Sequence, residues 1–404
     1  MILSLALIIL AGFALSEVAF RLKLPRIVGM ILAGILLGPY VFDLIAPEVL
    51  AISIDLRQIA LVIILLRAGL ALDLRDLKKV GRPALLLSFL PATFELVGVL
   101  VLGPLLLGLT LIEAAVLGTI LAAVSPAVVV PRMLKLIEEG RGTAKGIPQM
   151  IMAGASVDDI YVIVLFTAFV RMAQSGELSL VTFLELPIAI LTGIAAGALV
   201  GIGAARFFRW FHMRDTTKVL VLLSLALLFV AGEAALPSFV PFSGFLAVLA
   251  MGIALLMKYP ALTDRLVRKY EKIWVFAETL LFVLVGVAVD IRTIPTVGLL
   301  SIALIFGALL FRSVGVLIST IGKKFTLKER LYVVVSYLPK ATVQASIGSI
   351  PLALGISSGD VMLTIAVLAI LVTAPLGAFL MDLTKQRLLT ITPPVVADAD
   401  STKI

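Results

Sequence analysis

Asp158 and Asp159 stand side by side in Ala155-Ser156-Val157-Asp158-Asp159-Ile160, inside an apolar stretch that runs from about Pro148 to Phe169. If that stretch crosses a bilayer as a helix rising ~1.5 Å per residue, the pair sits ~15 Å deep, about halfway through a ~30 Å hydrocarbon core. An ionised side chain at that depth costs at least ~2.5–3.5 kcal/mol, so as a rule it is paired, hydrated or functional. Successive helix positions point ~100° apart, so one carboxylate can face a cavity while the other turns to a neighbouring helix. Carboxylate oxygens, the hydroxyls of Ser125 and Ser156 and freed backbone carbonyls are hard ligands suited to a small cation. A carboxylate holds either a proton or a cation, and the two compete for one place. That competition is the chemistry of an antiporter.

The elements that must hold such a pair are written in the composition. Of 404 residues 61% are hydrophobic and 14% charged, against ~45–50% and ~25% in an average soluble domain, so the chain is an all-α polytopic membrane protein. No cysteine is present, which excludes thiol nucleophiles and thiolate metal sites, and one histidine, His212, excludes His-cluster sites. Thirteen apolar runs are separated by charged or Gly/Pro turns: about 2–20, 27–43, 56–72, 84–107, 112–131, 148–170, 180–204, 217–232, 240–257, 273–289, 297–320, 331–352 and 361–381. The first lacks a basic leader, carries Glu17 and shows no small-residue cleavage site, which makes it a retained span.

Most of the 33 basic residues fall in the turns after odd-numbered spans, among them Arg75, Lys78 and Lys79, the run from Lys258 to Lys272, and Lys403. The positive-inside rule then puts the N-terminus outside and the C-terminus in the cytoplasm. The net charge of +8 is therefore a matter of topology rather than a footprint for nucleic acid. Spans 5 and 12 are both interrupted by proline, at Pro126 and Pro339. An offset of seven spans reverses direction, so spans 1–6 and 8–13 read as inverted repeats with two discontinuous helices, a pattern of secondary transporters.

Three further ionisable residues bear on the pair. Glu95 lies in span 4 and Arg312 in span 11, again seven spans apart, so they are natural partners across the repeat. Two readings of them stay open, a structural ion pair and a role in transport. Lys340 is a buried cation in the broken span 12, to be satisfied by nearby carbonyls or by an aspartate. Arg67 is read as snorkelling from span 3, and Glu17, Glu233 and Glu278 as residues near helix ends.

At these residues the sequence resembles the monovalent cation–proton antiporter superfamily, with its nearest likeness in the NHA branch of sodium/proton exchangers. The blocks are Leu66-Arg67-Ala68-Gly69-Leu70-Ala71-Leu72-Asp73, Ala123-Val124-Ser125-Pro126-Ala127-Val128-Val129-Val130-Pro131 and Ser156-Val157-Asp158-Asp159-Ile160. The longest is Leu338-Pro339-Lys340-Ala341-Thr342-Val343-Gln344-Ala345-Ser346-Ile347-Gly348. The resemblance implies Asp159 as the main ion-binding carboxylate with Asp158 beside it, together the place for Na⁺. It implies spans 5 and 12 as a crossing, unwound pair carrying Pro126, Pro339, Lys340, Thr342 and Gln344. It also implies an elevator in which a core, 84–170 and 297–381, moves against a dimerisation scaffold, 1–72 and 180–289, with 382–404 as a short tail. A homodimer in lipid and a prokaryotic inner membrane are the expected setting. One departure stands out: Arg312 occupies a place where electrogenic members carry a lysine. Arginine does not release its proton, so one proton per cation, an electroneutral exchange, is expected.

Na⁺(Li⁺)/H⁺ antiport is the function expected, with K⁺/H⁺ antiport as the alternative and a gated cation channel behind it. An intramembrane enzyme is disfavoured, because aspartyl hydrolysis wants carboxylates from separate elements facing across the substrate. No G-x-x-x-x-G-K-[ST] run is present, so neither a nucleotide nor any other cofactor is expected.

Overall fold

The computed structural model describes residues 1–71, 81–175, 180–236 and 241–391, and among these it is helical apart from one isolated bridge between Arg141 and Ile391. Arg75, Lys78, Lys79 and Lys403 lie outside the described residues, as do Leu72 and Asp73 of the first block. The chain opens with α1 (Ile2–Arg21), α2 (Arg26–Leu37), α3 (Pro47–Ala51) and α4 (Ser53–Ala71). It continues with α5 (Arg82–Leu87), α6 (Leu90–Leu107), α7 (Leu111–Ala122), α8 (Pro126–Glu138) and α9 (Ile147–Ser175). After these come α10 (Leu180–Trp210), α11 (Asp215–Ala235), α12 (Gly244–Lys258), α13 (Pro260–Val287) and α14 (Ile294–Ser319). The last are α15 (Leu327–Ser336), α16 (Thr342–Ile347), α17 (Ile350–Ala353) and α18 (Gly359–Leu388).

Among the described residues eight helices are long and apolar enough to cross a membrane by length and composition, counting α5–α6 and α7–α8 each as one. Helix also occurs within the other apolar runs, as shorter, broken or more charged pieces. One expectation is corrected. The basic run after Lys258 is not a loop but the first half of α13, opened by Pro260 in the first turn, where its missing N–H costs nothing. Leu262, Leu266 and Tyr270 recur on one buried face there while the charges point away. Glu278 consequently lies more than two turns before the end of α13 rather than near it.

Helix packing falls into two sets. In one, α6 lies between α14 and α7, α9 lies along α7 and α8, and α18 lies along α14, α15 and α17. In the other, α2 packs on α1 and α13, α4 on α12 and α13, and α12 on α10 and α11. Backbone-to-backbone approach holds the second set together: a Cβ at Gly34 of α2 would stand 2.9 Å from the Cα of Gly286 on α13. Small residues do this work in membrane proteins because lipid gives helices no hydrophobic reason to associate.

Both broken helices start the same way. Thr110 caps α7 by accepting from the amide of Glu113 while Glu113 bonds back to Thr110, and Thr326 and Glu329 do the same for α15. Gly108, in the left-handed region at φ 67°, closes α6 just before the first of these boxes.

Candidate ion-binding site

Pro126 has no amide proton and pushes the residue before it out of helical geometry, so α7 stops at Ala122 and α8 restarts at Pro126 with Ser125 extended (φ −88°, ψ 108°). Pro339 acts likewise between α15 and α16, where Ala341 is non-helical at φ −162°, ψ −81°. The two unwound segments meet: the amide of Ser125 donates to the carbonyl of Pro339 at 2.9 Å. Each break frees backbone groups that a buried site must satisfy.

Side chains of α14, α16 and α18 do so. Gln344 accepts from the amide of Ala341 at 2.8 Å, and its Nε2 donates to the carbonyls of Ala123 and Leu121 at 2.9 and 3.4 Å. Arg312 donates to the carbonyls of Tyr337 (2.8 Å) and Ala122. Thr373 of α18 accepts from the amide of Lys340 at 3.0 Å. Thr342 opens α16, and its carbonyl accepts from Ser346.

The charges form one buried network. Arg312 reaches Glu95 at 2.7 Å and Asp158 at 3.0 Å, and Lys340 reaches the same oxygen of Glu95 at 2.5 Å. All four side chains are buried. Two expectations change here. Arg312 is not taken up by Glu95 alone but clamps Asp158 as well, because a guanidinium fork has donors enough for both. Lys340 finds Glu95 rather than carbonyls or an aspartate.

The paired aspartates are therefore unlike. Oδ2 of Asp158 accepts from Arg312 and from the amide of Val124 at 2.8 Å, in the first break. Asp159 is partly exposed, and its Oδ1 is buried with no hydrogen-bond partner. Oδ1 of Asp158 and the hydroxyl of Ser125 are likewise buried and unpartnered, so three oxygens without a donor come from this small region. Ser156 lies on the same helix and uses its proton on the carbonyl of Met152 at 2.9 Å, which leaves its lone pairs outward. By formal charge Arg312 and Lys340 balance Glu95 and Asp158, and Asp159 is the surplus carboxylate. Among the described residues no group of three or more His, Cys, Asp or Glu side chains could hold a metal ion.

Pro339 and Lys340 lie in the second break, Thr342 and Gln344 in the first turn of α16 that follows it, and Pro126 at the start of α8. Thr373 and the double role of Gln344 were not foreseen. Thr373 lies in an apolar helix where a lone hydroxyl carries no periodic or motif signal.

Residues 4–382 match the family described as sodium/hydrogen exchanger, transmembrane. The human sodium/hydrogen exchanger 9B2 is 36% identical over 381 residues, covering 91% of this chain and 70% of that protein. Its counterpart from Xenopus tropicalis is 37% identical over 384 residues, covering 90% and 69%. The human sodium/hydrogen exchanger 9B1 is 33% identical over 384 residues, covering 91% and 73%. Among solved structures, the sodium proton antiporter MjNhaP1 from Methanocaldococcus jannaschii has the same fold, with a TM-score of 0.81 at 22% identity over 95% of this chain and 97% of that one. Two broken helices that meet at a carboxylate and a match spanning nearly the whole chain agree: this protein belongs to the sodium/hydrogen exchanger family and is an integral-membrane cation–proton antiporter.

Proposed function

We propose that the chain exchanges Na⁺ or Li⁺ for H⁺ at Asp159, with Asp158, Ser125 and Ser156 contributing oxygens. The observation that carries this is the asymmetry of the pair: Asp158 is held by Arg312 and Val124, while Asp159 has an unpartnered buried oxygen and no cation of its own. A carboxylate in that position is neutralised by a proton or by a small cation, and an empty, charged site crosses the membrane poorly. Arg312 keeps its proton, so the exchange is one for one and electroneutral.

The wider reading is an elevator. Thirteen spans form two inverted repeats, and the core of 84–170 and 297–381 slides on the scaffold of 1–72 and 180–289 in a homodimer within the lipid. The two helix sets support this, since packing is dense within each and sparse between them. In this reading the N-terminus lies outside and the C-terminus in the cytoplasm, an orientation that the loop charge supports, and the membrane is a prokaryotic inner membrane.

The test is collapse of a pH gradient in proteoliposomes on adding Na⁺, Li⁺ or K⁺. Wild type should respond to Na⁺ and Li⁺ at the same rate with the membrane potential clamped or free, and Asp159→Asn should lose the response at least about a hundredfold, in line with removal of an essential group. A K⁺ response of equal size would move the reading to K⁺/H⁺ exchange. Full activity in Asp159→Asn would sink the assignment of the site.

A further inference from the structure

The two ends of α9 are held differently. Beyond Asp159, Arg171 donates to Glu233 near the end of α11 at 2.7 Å and to the carbonyl of Phe242. Glu233 in turn accepts from the amide of Gly244 at the start of α12 at 2.8 Å. Val164, Thr167 and Ala168 lie against Ala189, Ile190 and Ser243. This half of the helix is tied to the second helix set.

Before Asp159 the helix shows a stripe instead. Gln149, Met152, Ala153 and Ser156 are partly exposed, whereas Met150, Ile151, Gly154, Ala155 and Asp158 are buried. Positions three and four apart lie on one helix face, so the stripe leads from the basic loop that carries Arg141 and Lys145 to Asp159 itself. At its far end Oε1 of Gln149 is buried without a hydrogen-bond partner. An unpaired buried carbonyl oxygen is costly, and it is a hard ligand for a small cation.

We propose that the side-chain oxygen of Gln149 is the first protein ligand for the cation on its way from the cytoplasm, ~15 Å along the helix from Asp159. The ion then passes Ser156 and reaches Asp159. This rests on the antiport reading at Asp159. An amide oxygen suits the role because it replaces one hydration oxygen without adding a charge that would trap the ion.

The chain has no cysteine, so single-cysteine variants need no background removed. In inside-out vesicles a membrane-impermeant thiol reagent should label Gln149→Cys and Ala153→Cys and leave Thr167→Cys unlabelled, and Na⁺ should slow the reaction at 149. No labelling at 149 and 153 from that face would overturn the path, whatever the ion transported.

Kinetics then assign the ligand. Gln149→Leu should raise KM for Na⁺ applied at the cytoplasmic face about five- to tenfold, the value of one lost oxygen contact, with kcat within about twofold. Gln149→Glu, which keeps an oxygen there, should restore or lower KM. A fall in kcat at unchanged KM, or a KM rise equal at both faces, would make Gln149 a packing residue only. Loss of coupling in wild type would instead overturn the antiport reading, a result that the labelling arm does not share.

Discussion

The break between α7 and α8 and the break between α15 and α16 pose the same problem and solve it with different chemistry. In the second, the freed amides of Lys340 and Ala341 go to Thr373 and Gln344, and the carbonyl of Tyr337 goes to Arg312. Every partner there is neutral or permanently charged. In the first, Gln344 and Arg312 hold the carbonyls of Ala123 and Ala122, but the amide of Val124 is held by Asp158. One of its supports is thus a carboxylate next in sequence to Asp159, the proposed ion-binding residue. The second break is a fixed frame, and the first is a frame with one adjustable strut. On the proposed function, a proton or cation arriving at Asp159 changes the field felt by that strut, whereas none of the hydrogen-bond partners of the second break is a carboxylate.

Arg312 and Gln344 each reach both breaks, and Arg312 is the charged one, so removing it has the largest expected effect. Arg312→Gln would leave Glu95 and Asp158 buried with one cation, Lys340, between them. Losing one partner of a buried ion pair costs ~3–5 kcal/mol. Thermal unfolding in detergent should show a drop of that order and little transport in what remains folded. Arg312→Lys keeps the charge but cannot fork between Glu95, Asp158 and two carbonyls, so it should fall in between. If Arg312→Gln unfolds within about 1 kcal/mol of wild type, the breaks do not lean on a common charge, and the comparison fails at its root.

Much of this was legible in the sequence because charges inside apolar runs are expensive and stand out. Glu95, Asp158, Asp159, Arg312 and Lys340 are visible on that ground alone, and Pro126 and Pro339 mark the breaks by stereochemistry. What was not legible depends on proximity between residues far apart in the chain. Nothing local says that Arg312 reaches Asp158 as well as Glu95, or that Gln344 bonds the carbonyl of Ala123. The start of α13 was misread for a different reason: dense charge resembles a loop unless the spacing of Leu262, Leu266 and Tyr270 is weighed against it. The matched boxes Thr110-x-x-Glu113 and Thr326-x-x-Glu329 are a further signal for the proposed repeat, present in the sequence and independent of the prolines.

A middle-sized effect separates the strut from the frame. Thr373→Val deletes the acceptor for the amide of Lys340 at constant shape, and an unmet buried donor costs ~1–3 kcal/mol. Stability should fall by that amount while KM for Na⁺ stays where it was. Asp158→Asn should cost a comparable stability, since its amide oxygen can still accept from Val124 although the ion pair with Arg312 is gone. Its KM for Na⁺ and the pH dependence of its exchange should both move. Unfolding and initial-rate measurements on the two variants check this side by side. An equal change in KM for Thr373→Val would show that both breaks respond to the ion.

The smallest effect is expected where α8 ends. Glu139 accepts from Lys385 of α18 at 2.6 Å and from Arg141 at 3.2 Å, and the amide of Gly142 bonds the carbonyl of Thr390 at 2.9 Å. The hydrogen bond from Lys385, with the nearby positive charges, holds the Glu139 carboxyl below its ordinary range. A group whose folded value is lowered gives its full stabilisation above its unfolded value and loses it only as the pH falls through the lowered one. From about pH 5.5 to 9 this tie is therefore constant and cannot shape the response of the first break. Lys385→Met should change stability by less than ~1 kcal/mol, as a partly exposed pair does. Its rate-against-pH curve in proteoliposomes should superimpose on that of wild type. A shifted curve would mean that α8 transmits pH to the first break from its far end, and Asp158 would no longer be what sets the two breaks apart.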